Sequence, residues 1–175
     1  MKKIYLTLFI LISIELSANM LISPIDAMKQ SFGTNATIVK NNILLNNEQA
    51  KIIQNNAKVK LDSKIFKTFK AIQGDKTLGF GVIINKKVRS KNAVVMYLIS
   101  TNSTLLSIEI IAFNEPMEYI PSKKWTSQFE NVPTDKQLNV GREIPTITGA
   151  TLSARSITDS SRLAFAFYNE MLKAK

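Results

Sequence analysis

Two kinds of hydrophobic spacing divide the chain. Between residues 64 and 113, apolar, β-branched and aromatic positions run in stretches of strand length at 66–72, 78–85, 93–100 and 105–113, which predicts four strands in succession. Their connections are short: Gly74-Asp75 in the first, the basic run Lys86, Lys87, Arg89 and Lys91 in the second, and residues 100–104 in the third. Short connections pair neighbours antiparallel, so the simplest arrangement is a meander. Residues 94–99 and 105–111 are apolar at nearly every position, which calls for cover on both faces of the sheet.

Helical spacing accounts for most of the remainder. Residues 25–32 predict a short helix stopped by Gly33, with Asp26 favouring its N-terminus, a piece that reads as a packing arm. Asn46 or Asn47 can cap a second helix running to about Lys58, with Ala50, Ile53 and Ala57 on a narrow apolar face. Trp125 and Phe129 fall at helical spacing within 122–130 and suit a core or pocket wall. The final helix carries a stripe of Ile157, Ser160, Ala164, Phe167 and Met171, widened by Leu163 and Tyr168, and is the obvious cover for the second face of the sheet. The expected fold class is α+β: an antiparallel, mostly meander sheet of four or more strands covered by helices, within one domain.

The first residues follow a different logic. Lys2 and Lys3 precede an apolar stretch at 4–12 that continues to Ile14, stops at Glu15 and meets the small residues Ser17 and Ala18. A membrane span needs nearer twenty apolar residues, so 1–18 reads as a signal peptide cleaved after Ala18, with a retained N-terminal anchor as the alternative. The domain, 19–175, is then expected outside the cytoplasm, periplasmic or attached to the inner membrane. Cysteine and histidine are both absent, which removes thiol redox chemistry, the usual zinc sites, histidine-ligated haem and the Ser-His-Asp and Cys-His arrangements. Any redox work requires a bound cofactor. The formal charge of +10 invites a nucleic-acid reading, but the lysines are scattered and the one tight cluster falls in a hairpin connection. That cluster is a solvated turn or an attraction to an anionic membrane surface, and no nucleic-acid partner is expected.

The most informative stretch is Thr146-Ile147-Thr148-Gly149-Ala150-Thr151-Leu152-Ser153-Ala154-Arg155-Ser156, immediately before the terminal helix. Gly149 allows a close backbone turn, Thr148, Thr151, Ser153 and Ser156 offer hydroxyls, and the following helix presents free N–H groups and a positive dipole end, with Arg155 adding charge. Such a turn can hold a phosphate; by its chemistry alone it equally suits a plain threonine N-cap.

Thr148-Gly149-Ala150-Thr151, followed by Leu152-Ser153-Ala154-Arg155-Ser156-Ile157-Thr158, resembles the Ser/Thr-Gly-Ala-Thr signature of the FMN-binding domain family, which includes flavin-carrying subunits of the sodium-translocating NADH:quinone reductase and of Rnf-type complexes. The resemblance covers roughly 45–172. Gly79-Phe80-Gly81 is similar to the family's glycine-aromatic strand start, although plain β-packing accounts for it as well. Residues 108–113 followed by Asn114-Glu115-Pro116 resemble a strand and acidic loop near the flavin; as bare chemistry, Glu115 beside Pro116 could simply end a strand. The resemblance implies FMN joined by a phosphoester to Thr151, with Thr148, Gly149, Ala150, Leu152 and Ser153 around it and Glu115 near the ring. It also implies a flavin transferase that uses FAD as donor. One position departs from the pattern: the acidic residue usually found six places before the modified threonine is here Pro145, with Glu143 two residues earlier.

The function these residues imply is an extracytoplasmic electron-transfer flavoprotein carrying FMN, served by a membrane redox partner linked to quinone. No nicotinamide fingerprint or substrate constellation is visible, which points to a carrier more than a stand-alone enzyme. A flavin-free binding or assembly module of a membrane redox complex is the alternative, favoured by Pro145. A small catalytic flavoprotein is a third, weaker candidate.

Overall fold

The computed structural model describes residues 20–173; the expected leader at 1–18 lies outside the described residues. The elements are α1 (Pro24–Phe32), β1 (Thr37–Leu44), α2 (Asn47–Ala57), β2 (Ile65–Gln73), β3 (Lys76–Lys87), β4 (Asn92–Ser100), β5 (Thr104–Phe113), α3 (Lys123–Thr126) between two 3-10 turns, β6 (Val132–Pro133) and α4 (Thr151–Met171). The strands form one antiparallel sheet in sequential order, β1-β2-β3-β4-β5-β6. This is the expected α+β meander, wider by two strands. β1 escaped the sequence pattern because it is an edge strand whose centre reads Lys40-Asn41-Asn42 and whose residues are mostly exposed, so no alternation marks it.

The helix ends follow from local chemistry. Ser23 caps α1 by accepting the Asp26 N–H, and Gly33 ends it at φ +101°. Asn46 and Gln49 form a reciprocal capping box at the start of α2, with bonds of 2.8 and 3.0 Å. α2 and α4 lie together on one face of the sheet, over Phe66, Val82, Val95, Tyr97 and Ile99. There Phe66 and Phe167 stack with ring centroids 4.1 Å apart. The opposite face is covered by α1, through Ala27 and Met28 against Phe69, Met96, Leu98 and Ile111. The terminal helix therefore covers the first face, and the supposed arm covers the second. β4 is buried on both sides between them, which explains its unbroken apolar run.

Gly79 and Gly81 belong to this second interface. A Cβ on Gly79 would meet the Ile99 carbonyl oxygen and the Phe32 ring, and one on Gly81 would meet Met96 and Met28. Close packing of α1 on β3 accounts for both glycines.

The two ends of the sheet differ. The far end carries the β2–β3 turn at Gly74-Asp75 and the β4–β5 turn at 101–103. The hairpin end carries the β3–β4 turn at 88–91, the paired Leu44 and Ile65, and the end of β5 at Phe113. Met20 joins that end by bridging to Ala112, and the Leu21 N–H donates to Ile111 O at 2.9 Å. The second turn of α4 is fixed to the sheet by two bonds, Ser156 Oγ to Lys87 O at 3.2 Å and Tyr97 Oη to Ile157 O at 2.8 Å.

Candidate anion and cofactor site

The approach to α4 is a loop pinned by aromatic packing. Trp125 is buried, stands edge-on to Phe129 at 5.2 Å, and donates its indole N–H to Pro145 O at 2.8 Å. Both aromatics are core, as the spacing suggested, and Trp125 additionally anchors the segment leading into the turn. Glu143 bends back to accept the Asn139 backbone and side-chain N–H groups at 2.9 and 3.2 Å. Hydrogen bonds from its own backbone N–H and from Asn139 hold its carboxyl below the usual range.

At the turn itself, Gly149 adopts φ +79° with open space where a side chain would project; any other residue would be strained there. The Ala150 N–H closes the turn on Ile147 O at 3.0 Å. Ala150 is the N-cap of α4, and among the described residues no side chain caps the N-terminus of this 21-residue helix. The threonine N-cap suggested by composition is therefore not formed. The first intrahelical bond is Ala154 N–H to Ala150 O at 3.1 Å, which leaves the amides of Thr151, Leu152 and Ser153 at a positive helix end without an intrahelical acceptor. Thr151 is exposed, and its hydroxyl makes one long bond, 3.3 Å, to Ile147 O. That oxygen keeps the Ala150 N–H if the hydroxyl is used elsewhere.

Facing this turn is the β3–β4 hairpin, held by a buried carboxylate. Glu115 is 6% exposed, and its Oε1 accepts the backbone N–H groups of Arg89, Ser90 and Lys91 at 3.0, 2.6 and 2.7 Å. Ser90 Oγ reaches Oε2 at 3.2 Å. The Lys91 amide, followed by those of Ser90 and Arg89, outweighs burial and holds this carboxyl below its ordinary range. Glu115 thus positions a wall of the site, which its place beside Pro116 did not disclose.

Between the two walls lies a cleft of about 250 Å³, bounded by Val88, Arg89, Glu115 and Tyr119 on one side and by Gly149, Ala150, Thr151, Leu152 and Ser153 on the other. The structure brings together six of the seven residues singled out from the sequence. Thr148 sits on the exposed turn outside the wall, and Arg155 is exposed on α4, also outside it. Arg89 and Tyr119 were not anticipated. Arg89 lay within a run that reads as a solvated turn, and nothing in the spacing links it to a helix sixty residues on; Tyr119 has no pattern around it. Arg89 forms no ion pair among the described residues.

The most telling atom is Ser153 Oγ. The residue is 1% exposed, lines the cleft and has no hydrogen-bond partner among the described residues. Buried hydroxyls are nearly always paired, so an unpaired one beside free amides and an arginine suits an acceptor-rich ligand. A phosphate meets that description. A larger cavity of about 320 Å³ lies elsewhere, lined by Leu61, Phe66, Ile84, Val94 and Leu163 among others. It lacks a helix terminus and a hydroxyl cluster, and the chemistry favours the smaller cleft.

No family model matches the chain, and no curated protein matches it.

Proposed function

We propose that this protein is an electron carrier that holds FMN at the start of α4, with the flavin phosphate esterified to Thr151 Oγ1. The observation that carries the reading is the coincidence of an uncapped helix N-terminus, an unpaired buried Ser153 hydroxyl and an exposed Thr151 hydroxyl around one cleft. In this reading the amides of Thr151, Leu152 and Ser153 and the Ser153 hydroxyl hold phosphate oxygens, and Gly149 lets the backbone approach. Arg89 balances the charge, and Tyr119 and Leu152 offer apolar surface to the ring system. At about 250 Å³ the cleft falls short of the roughly 300–1,000 Å³ that encloses a drug-sized ligand, so part of the flavin would remain open to a partner. That suits electron transfer between proteins. The bound flavin would supply the redox chemistry, and the chain's residues would fix its position and electrostatic surroundings.

Attachment follows from a balanced exchange. Thr151 Oγ1 attacks the FMN-side phosphorus of FAD, the pyrophosphate P–O bond breaks, AMP leaves with that oxygen, and a base of the transferase takes the threonine proton. The product is heavier than the unmodified chain by one FMN less one water. Intact and peptide mass spectrometry on protein exported alongside its flavin transferase, beside Thr151→Val, tests this. The mass gain is expected on the peptide containing Thr151 and not in the variant. An unmodified wild-type chain that releases no flavin would overturn the reading.

Pro145 supports a second reading, a flavin-free docking module of a membrane redox complex. It occupies the place where the resembled signature has an acid, and its carbonyl is engaged by Trp125. Glu143 is turned toward Asn139.

A further inference from the structure

We infer that the hairpin end of the sheet is a docking face for an anionic membrane surface, and that the cleft opens beside this contact. The first ground is the placement of exposed apolar side chains. Met20, Leu44, Ile65, Met117 and Leu152 are between 45% and 72% exposed; among the described residues the other large apolar side chains comparably exposed are Leu21 and Ile25, leading into and opening α1, and Val39 on edge strand β1. Topology puts all five at one end: Leu44 pairs with Ile65, Met20 bridges Ala112 near the end of β5, Met117 follows Glu115, and Leu152 lines the cleft against the hairpin. Among the described residues, the far-end turns at Gly74-Asp75 and 101–103 expose no large apolar side chain. Isolated exposed leucines need no explanation, but their concentration at one end does.

The second ground is charge. Lys64, Lys86, Lys87, Arg89 and Lys91 stand at the same end, in the β3–β4 hairpin and the entry to β2. Of the acids there, Asp62 is paired with Lys86 at 3.4 Å, Glu115 is occupied by three amides and Asp26 accepts from Ser23 Oγ at 2.6 Å, leaving Glu118 and Glu48 against this basic excess. Apolar side chains interspersed with lysines fit the boundary between lipid headgroups and acyl chains, where each contributes separately. A protein partner would more often supply a fitted apolar patch with few lysines.

The third ground is the path of the chain. Met20 lies at this end, so in the alternative where 1–18, with its apolar stretch at 4–14, is retained as an anchor, that segment joins the domain here. The chain thus leaves the described domain from the face that carries the basic and apolar groups. The inference does not depend on flavin, since every residue it uses is present in the unmodified protein.

The chain has no cysteine, so single labels can be placed without background. Met117→Cys and Ile65→Cys at the hairpin end, and Asp75→Cys and Asn102→Cys at the far end, would each carry an environment-sensitive fluorophore on the full chain without flavin. Each would be mixed with phosphatidylglycerol/phosphatidylcholine vesicles whose acyl chains bear a nitroxide near the headgroup. Quenching several-fold stronger at Met117 and Ile65 than at Asp75 and Asn102 is expected. Lys87→Glu/Lys91→Glu in the same background should abolish the difference, as should vesicles of phosphatidylcholine alone, with circular dichroism showing the fold retained. Equal quenching at the two ends would mean that only a leader tethers the protein and would overturn the inference. So would end-specific quenching indifferent to lipid charge and to the double substitution. Neither result bears on flavin attachment, which mass spectrometry decides separately.

Discussion

Replacing Ser153 with alanine should make the ligand-free protein more stable and the ligand-bound protein less favoured. The hydroxyl is buried without a partner, and such a group carries an unrecovered desolvation penalty of about 1–3 kcal/mol. Alanine removes that penalty while leaving almost the same volume, so no significant cavity opens. It also adds helix propensity of up to about 0.7 kcal/mol. The two contributions together give roughly 1.5 kcal/mol or more, which for a domain of this size corresponds to a rise of about 3–6 °C in Tm. Propensity alone would give no more than about 3 °C. Thermal unfolding of wild type and Ser153→Ala, each with and without added FMN, separates the two effects. The variant should melt higher when free and gain less from FMN than the wild type does. A free variant that melts at or below the wild type would refute the reasoning, because the hydroxyl would then be satisfied in solution. If FMN raised both proteins equally, the hydroxyl would have no part in ligand binding. Natural binding sites commonly carry this tension, in which a group left unsatisfied in the free protein is matched only by the ligand.

Three other substitutions probe separate parts of the construction. Thr151→Val should abolish flavin attachment by mass spectrometry while changing stability by no more than about 0.5 kcal/mol, since the exposed hydroxyl makes one long bond. Because its carboxyl is held below its ordinary range, Glu115 should stabilise the hairpin above the unfolded carboxylate's pKa and lose that contribution as pH falls through the lower folded value. Hydrogen exchange at the amides of Arg89, Ser90 and Lys91 should accelerate across that acid window in the wild type, whereas Glu115→Gln should exchange fast at neutral pH and show little acid dependence. Gly79→Ala should cost about 1–3 kcal/mol by overpacking against the Ile99 carbonyl and Phe32, with protease cleavage near α1 appearing before global unfolding.

Legibility from sequence varied with the number of chain segments that each feature needs. The central strands and the terminal helix announce themselves because each is buried along its length, so the side-chain period survives in the residue pattern. β1 and β6 did not, because an edge strand packs on few neighbours and tolerates Lys40, Asn41 and Asn42. The role of α1 was readable as a helix but not as a lid, since its few apolar residues find their partners only once Gly79 and Gly81 clear space on β3. At the site, the turn from Thr148 to Ser153 could be read because its hydroxyls, glycine and helix start are contiguous. Arg89 and Tyr119 could not, because they reach the cleft through pairing between strands and through the Glu115 carboxylate. No local spacing encodes that meeting.

The manner in which the two walls are joined bears on what the cleft can do. The second turn of α4, just beyond the free amides, is tied to the sheet by Ser156 to Lys87 O and by Tyr97 to Ile157 O, and the hairpin opposite is closed on Glu115 by three amides. None of these bonds uses a group that the proposed ligand needs. The Thr151 hydroxyl, the first-turn amides of α4 and the Ser153 hydroxyl remain available within a frame already fixed. A ligand held there meets donors that need not be reoriented, which lowers the ordering cost of binding. The same rigidity would favour electron transfer, because a change of charge on a bound cofactor would meet fixed dipoles instead of a rearranging loop. Glu115 is then valuable for where it places the hairpin and for keeping Arg89 at the rim, and an acid in that role must remain ionised, as its three amide partners ensure.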